Sequence, residues 1–213
     1  MMIDLKTARE LPRKLHYKLF QAPKGYGAPV DTKLLDQQYR EGFWGFLENL
    51  GEMPNKMVTA GYVYHLAKKL NRAPRLLDVG CGDGNLLEML GHFPYQSYLG
   101  LDISAEAVKQ AQARNIPRTR FAVADFTSEL PDEMFDFIIS TGSICYATDP
   151  VAALQRLVPL LAEGGAFVIS LWRYGHNGTI WRNLEKHFAL CDATVVTNNQ
   201  GTTWDIKILR PQS

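Results

Sequence analysis

At 213 residues the chain can bury one good core, and one domain with an added terminal segment is expected in place of two full domains. Lys and Arg number 23 against 22 Asp and Glu, and 46% of residues are apolar, so neither a broad pull toward nucleic acid or anionic membrane nor a disordered composition is implied. Cys81, Cys145 and Cys191 form no CxxC pair, which argues against a disulfide framework or zinc site and suits a reducing, cytoplasmic setting.

In chain order, MMIDLKTARE carries charges where a signal peptide needs an apolar core, and no apolar run approaches the roughly 18–20 residues of a membrane span. No membrane partner is expected. LPRKLHYKLFQAPKGYGAPVD mixes basic residues, aromatics, Pro and Gly without a period, as an irregular arm or lid would. In TKLLDQQYREGFWGFLENL the spacing of Leu35, Tyr39, Phe43, Phe46, Leu47 and Leu50 predicts a helix interrupted near Gly42 or Gly45. NKMVTAGYVYHLAKKL reads as an amphipathic helix with Val58, Gly61, Tyr62, His65 and Leu66 on one side, closed by Lys68 and Lys69 with Pro74 beyond.

From Arg75 strands and helices alternate. RLLDVGC, SYLGLDI, RFAVAD, FDFIISTG and AFVISLW read as strands, and GNLLEMLG, SAEAVKQAQARN and DPVAALQRLVPLLAEGG as helices, the last ended by Gly164 and Gly165. Apolar strands separated by helices require a mostly parallel sheet covered on both faces. TIWRNLEKHFAL is helical, and ATVVTNN and WDIKILR, joined by NNQG, form a closing antiparallel hairpin. The expected division is an N-terminal arm and helical cap over 1–73 and a ligand-binding α/β domain over 74–213.

The densest signal is LLDVGCGDG. Gly80, Gly82 and Gly84 stand where a strand gives way to a helix, at the carboxyl edge where open α/β sheets bind ligands. The dinucleotide fingerprint is GxGxxG; here the run is GxGxG, with Asp83 where a phosphate would be unwelcome. A ligand without phosphate but with a charged amino acid portion suits it better. Asp102 ends the second strand, where a carboxylate can accept from a ribose diol, and Ser104 reads as the cap of the next helix, leaving Asp102 free for a ligand. Asp125 and Phe126 end the third strand.

With these residues the chain resembles the class I S-adenosylmethionine-dependent methyltransferases of the small-molecule type, over Arg75 to about Trp172 and the final hairpin. The resemblance implies a seven-stranded sheet of order 3-2-1-4-5-7-6, its last strand antiparallel. It implies S-adenosyl-L-methionine as cofactor: Asp78 facing the methionine ammonium directly or through water, Gly80, Cys81, Gly82 and Gly84 forming the turn, Asp102 and Ile103 at the ribose. Asp125 would accept from the adenine amino group, Phe126 would offer its backbone N–H, and Ser140 stands in the motif after the fourth strand.

The cofactor's methyl is already activated, so no metal is required, and no HxD, HxH or ExxH cluster lies near a strand end. Ser140-Thr141-Gly142-Ser143 replaces the [DNS]PP[YFW] motif of the family's nucleic-acid and glutamine N-methylating enzymes, which argues against those acceptors. His176, on a Gly-flanked loop after the fifth strand, is the candidate general base, against the alternative of an exposed loop histidine. Trp172 and Arg173 are expected in the same pocket, with Tyr26, Tyr39 and Trp44 as lid residues; Tyr146 either covers the methionine end, faces the acceptor, or packs in the core. The expected acceptor is a hydroxyl or amine of a small metabolite, such as a natural-product or sugar intermediate, not nucleic acid. Two alternatives stand beside it: an RNA-modifying enzyme using Arg9, Arg13, Lys14, Lys18 and Lys24 of the arm, and a cofactor-binding protein without catalysis.

Overall fold

The computed structural model describes residues 15–28, 30–91 and 93–212. Arg9, Arg13, Lys14 and His92 lie outside the described residues. Seven strands, β1 (Arg75–Val79), β2 (Ser97–Asp102), β3 (Thr119–Val123), β4 (Phe135–Thr141), β5 (Leu161–Trp172), β6 (Phe188–Thr197) and β7 (Thr203–Pro211), form one sheet in the order β3-β2-β1-β4-β5-β7-β6. The pairs among β1 to β5 are parallel, and β7 runs antiparallel between β5 and β6. The strand order reverses between β1 and β4, and a crevice opens there beyond the strand tips.

Among the described residues the sheet is accompanied by α1 (Thr32–Arg40), α2 (Met53–Ala67), α3 (Leu86–Leu90), α4 (Ala105–Ala113), α5 (Pro150–Leu157) and α6 (Asn177–His187). Side chains alternate across β1. Leu77 and Val79 join Leu154, Leu157, Ile180, Trp181 and Leu184 of α5 and α6 in one core cluster. Leu76 joins Val63 and Leu66 of α2 and Leu86 and Leu90 of α3 in the other. Each fully buried aliphatic of this kind contributes about 1.5–3 kcal/mol.

Local chemistry explains most boundaries. Asp31, Ser104 and Asp149 accept from backbone N–H groups in the first turns of α1, α4 and α5. Gly42, at φ +71°, breaks the cap helix as expected, and a 3₁₀ segment, Phe43–Glu48, follows. Elsewhere the structure departs from the sequence reading. The helix expected to run to Gly164 and Gly165 ends at Leu157, and both glycines lie inside β5. Pro159 cannot continue the α-helical ladder, and a Cβ on Gly165 would stand 2.9 Å from the Asp136 carbonyl oxygen of the paired strand. The last helix ends at His187, so Phe188–Leu190 belong to β6.

The greatest departure is α2. Of the predicted face only Leu66 is buried; the helix instead buries Asn55, Lys56, Thr59, Ala60, Val63, Leu66 and Ala67. Apolar periodicity misses this face because its first turns are polar and meet a cavity rather than a core. Ser170 Oγ donates to Asn55 Oδ1 there, while Tyr62, on the other side, shares a 2.5 Å hydrogen bond with Thr194.

Candidate functional site

The cavity of about 780 Å³ lies over the carboxyl ends of β1 to β5 and beneath the segment from Ala28 to Lys56. Its size falls within the roughly 300–1,000 Å³ of small-molecule sites. The turn after β1 forms one wall. Gly80 and Cys81 donate backbone N–H groups to the Leu101 carbonyl oxygen at 2.7 and 3.0 Å, which ties the turn to β2.

The three glycines answer three different demands. Gly80 has φ +71°, and a Cβ there would stand 2.2 Å from Cβ of Ser143. Gly82 faces the cavity at φ +57°, where a Cβ would come within 2.7 Å of the Tyr39 hydroxyl. Gly84, at φ +80°, does not line the cavity; a Cβ on it would also press the Phe121 ring at 3.2 Å, so it packs the turn against β3 and α4. Ser140 is also outside the cavity. It is buried, accepts from the Ile144 N–H at 3.1 Å and shares a 2.7 Å hydrogen bond with Ser143, whose hydroxyl also donates to the Val79 carbonyl.

Two carboxylates stand behind the turn. Asp78 is 2% exposed; Tyr98 donates to its Oδ2 at 2.5 Å, while its buried Oδ1 has no partner among the described residues. Burial pushes its carboxyl up to about 7, with the Tyr98 bond working against the rise and Asp102 adding to it. Contrary to the sequence expectation, Asp102 is not left free. Its Oδ2 accepts from Gly82 N–H at 2.8 Å and its Oδ1 from Ser104 N–H at 2.9 Å. Each carboxylate oxygen retains a further accepting site. Burial raises this carboxyl as well, against the pull of those N–H groups.

Ile103, Asp125 and Phe126 line the adjoining wall. Asp125 is exposed, and its Oδ1 accepts from the Thr127 N–H and hydroxyl at 2.8 and 2.6 Å. The donor set fits S-adenosyl-L-methionine. An orphaned carboxylate oxygen on Asp78 suits an ammonium, Asp102 keeps lone pairs for a diol, and Gly82 opens the backbone beside them.

The opposite wall comes from the cap. Tyr39 and Trp44 line it with their rings stacked 6.0 Å apart, and burial followed by the charge of Asp102 holds the Tyr39 phenol well above its ordinary value. Cap and domain are tied at several points. Asp36 accepts from the Ser104 hydroxyl at 2.6 Å, and Arg114 reaches both Asp83 Oδ2 of the turn at 2.6 Å and Glu48 of the 3₁₀ segment at 2.8 Å. Tyr146 and Trp172 also line the cavity.

Three expected pocket residues lie elsewhere. His176 is exposed just before α6, because the loop after β5 turns away from the strand tips; it does not line the cavity. Arg173 extends to the Asp205 carboxylate at 2.7 Å in a separate groove beside α6. Tyr26 is 40% exposed, while its neighbours Gly27 and Ala28 pair with the backbone of Thr148 and Cys145.

Sequence reasoning missed Glu52, Asn55 and Lys56, all lining the cavity at or just before the start of α2, along with Thr141 and Trp204. The available signal was Pro54, a residue favoured in a first helical turn, which marks Glu52 as the residue before the helix. Glu52 is 8% exposed and Lys56 5%. Burial raises the Glu52 carboxyl, offset by Lys56 and then Trp172; burial lowers the Lys56 ammonium, offset by Asp83, Glu52 and further acids. Lys56 donates to the Leu47 carbonyl oxygen.

Residues 77–169 match the family model described as "Methyltransferase domain". A trans-aconitate 2-methyltransferase from Methylobacterium radiotolerans is 36% identical over 108 residues, 50% of this chain and 41% of that protein. An uncharacterized methyltransferase from Mycobacterium tuberculosis is 39% identical over 98 residues, 44% of this chain and 48% of that one. The chain thus spans less than half the length of these relatives. Among solved structures, the N-methyltransferase NodS from Bradyrhizobium japonicum with bound S-adenosyl-L-homocysteine superposes with TM-score 0.68 at 18% identity, covering 85% of this chain and 98% of that one. The [4+2]-cyclase SpnF matches equally, TM-score 0.68 at 16% identity, over 89% and 100%.

Proposed function

We propose that this chain, a member through residues 77–169 of the class I, Rossmann-like S-adenosylmethionine-dependent methyltransferase family, transfers a methyl group to a hydroxyl or amine of a small metabolite. The observation that carries this reading is the orphaned Oδ1 of Asp78, buried beside a glycine turn and facing a cavity of small-molecule size. A carboxylate in that state needs a cationic or donating partner, and the amino acid end of S-adenosyl-L-methionine supplies one. When bound, the cofactor supplies an activated methyl on a sulfonium.

The remaining work falls to the chain. Asp78 anchors the ammonium, Asp102 holds the diol while its own geometry is fixed by Gly82 and Ser104, and Asp125 with Phe126 borders the ring. The cap, with Tyr39 and Trp44, excludes water and brings the acceptor in line with the methyl group. A small acceptor is supported by the covered cavity. Six carboxylates line it, Asp31, Glu52, Asp78, Asp102, Asp125 and Glu129, against the single cation Lys56 among the described residues. That balance disfavours a polyanion, whether RNA or a tricarboxylate such as the one in the relative's name.

The [4+2]-cyclase SpnF has the same fold, so the decisive experiment must detect chemistry and not binding alone. Incubation with methyl-labelled cofactor and metabolite extracts, followed by mass analysis, is expected to yield a labelled small molecule and S-adenosylhomocysteine. Tight cofactor binding without any labelled product would sink the reading.

A further inference from the structure

The acceptor side of the cavity contains a buried carboxylate that the cofactor does not account for. Glu52 is 8% exposed, lines the cavity, and is not within ion-pair distance of any cation among the described residues. Lys56, one turn further along, directs its ammonium to the Leu47 carbonyl instead. Lys56 and Trp172 offset only part of the burial of Glu52, and with its nearest cation held at a carbonyl the carboxylate keeps room for a cation that arrives from outside. The walls around it are aromatic. Trp44, Trp172 and Trp204 all line the same cavity. No Arg or His is among the described lining residues, so an acidic acceptor would meet only Lys56.

Resting on the methyl-transfer reading above, we propose that the acceptor is an amine whose ammonium docks against Glu52 between the indole rings, and that Glu52 takes the proton its nitrogen must lose. Indole faces attract cations, and a carboxylate at their edge adds direction. The step balances. A proton passes from the ammonium to the Glu52 carboxylate, the freed lone pair forms the N–C bond to the methyl carbon, and the S–C bond breaks with its electron pair left on sulfur. Hydroxyl acceptors, neutral in water, have no comparable use for a buried counter-ion.

The test uses the whole chain, saturated with S-adenosylhomocysteine, and calorimetric titration with phenethylamine, 3-phenylpropionate and 2-phenylethanol, which share a ring and differ in charge. Phenethylamine is expected to bind at least about tenfold more tightly than the acid or the alcohol, and Glu52→Gln is expected to erase that preference while leaving S-adenosylhomocysteine affinity unchanged. Equal or tighter binding of the acid or alcohol, no binding of the amine, or a preference that survives in Glu52→Gln overturns the proposal. Should the variant lose S-adenosylhomocysteine binding through misfolding, the wild-type titrations decide alone. Failure of the wild-type chain to bind S-adenosylhomocysteine would instead sink the methyl-transfer reading on which this rests.

Discussion

The two walls of the cavity are built by different means. The cofactor wall hangs on the tips of adjacent parallel strands: the turn after β1 is hydrogen-bonded to Leu101 of β2, and Asp102 of β2 holds Gly82 in return. The cap wall is made of one short α-helix, a 3₁₀ segment and the first turn of α2, tied down by side chains such as Asp36 and Arg114. Main-chain pairing fixes the first wall wherever the sheet forms. The second depends on individual side-chain contacts, which a few substitutions can redirect, and this is the wall on which acceptor choice can vary without loss of the fold.

The largest expected effect strikes the first wall. Gly80→Ala adds a Cβ 2.2 Å from Cβ of Ser143 at a positive φ. The conformation costs about 1–2 kcal/mol and the clash about 1–3 kcal/mol more, which should lower Tm by several degrees and abolish measurable cofactor binding. An unchanged melting curve would break the contrast. Asp102→Ala removes both the acceptor for Gly82 N–H and the diol contact, so cofactor affinity should fall by about 1–3 kcal/mol in calorimetry. Native affinity would remove Asp102 from the ribose.

A smaller effect comes from Asp78, whose carboxyl is raised to about 7 by burial. A carboxyl raised in the folded chain favours folding below its unfolded value of 3.8, and that contribution is lost as pH rises through about 7. An incoming ammonium reverses the preference. Cofactor binding should therefore release a proton near neutral pH and tighten as pH rises toward about 7, levelling off above it. Calorimetry in buffers of different ionisation enthalpy checks this, and proton uptake would contradict the pairing. The smallest effect sharpens the comparison from outside. His176→Ala touches neither wall and should leave kcat and its pH profile at native values; a loss of about 10²-fold would return His176 to general-base chemistry.

The cofactor wall was legible because its requirements are local. Gly80, Gly82 and Gly84 take a backbone conformation that other residues resist, and acids at Asp102 and Asp125 stand where apolar strands stop, while Asp78 was singled out by the family resemblance. The mostly parallel sheet and the closing hairpin were readable from apolar strands alternating with helices and from the NNQG turn, whereas the strand order came only from the family resemblance. Even there the structure adds reasons the sequence did not offer: Gly84, besides its φ of +80°, packs against the Phe121 ring, and Ser140 belongs to an internal hydroxyl pair.

The cap wall was hidden because its residues look unremarkable in line. Glu52, Asn55 and Lys56 read as an ordinary polar helix start, and only the docking of α2 against the strand tips buries them. Conversely, His176 and Arg173 follow a strand tip in sequence but leave the cavity, because the chain after β5 turns toward α6 and β7. Sequence by itself determined the sheet and the crevice, since backbone conformation and hydrophobic alternation are properties of neighbouring residues. Which charged groups lose their water, and so what the crevice can hold beyond the cofactor, was decided only by tertiary packing, because desolvation depends on what the rest of the chain brings to the spot.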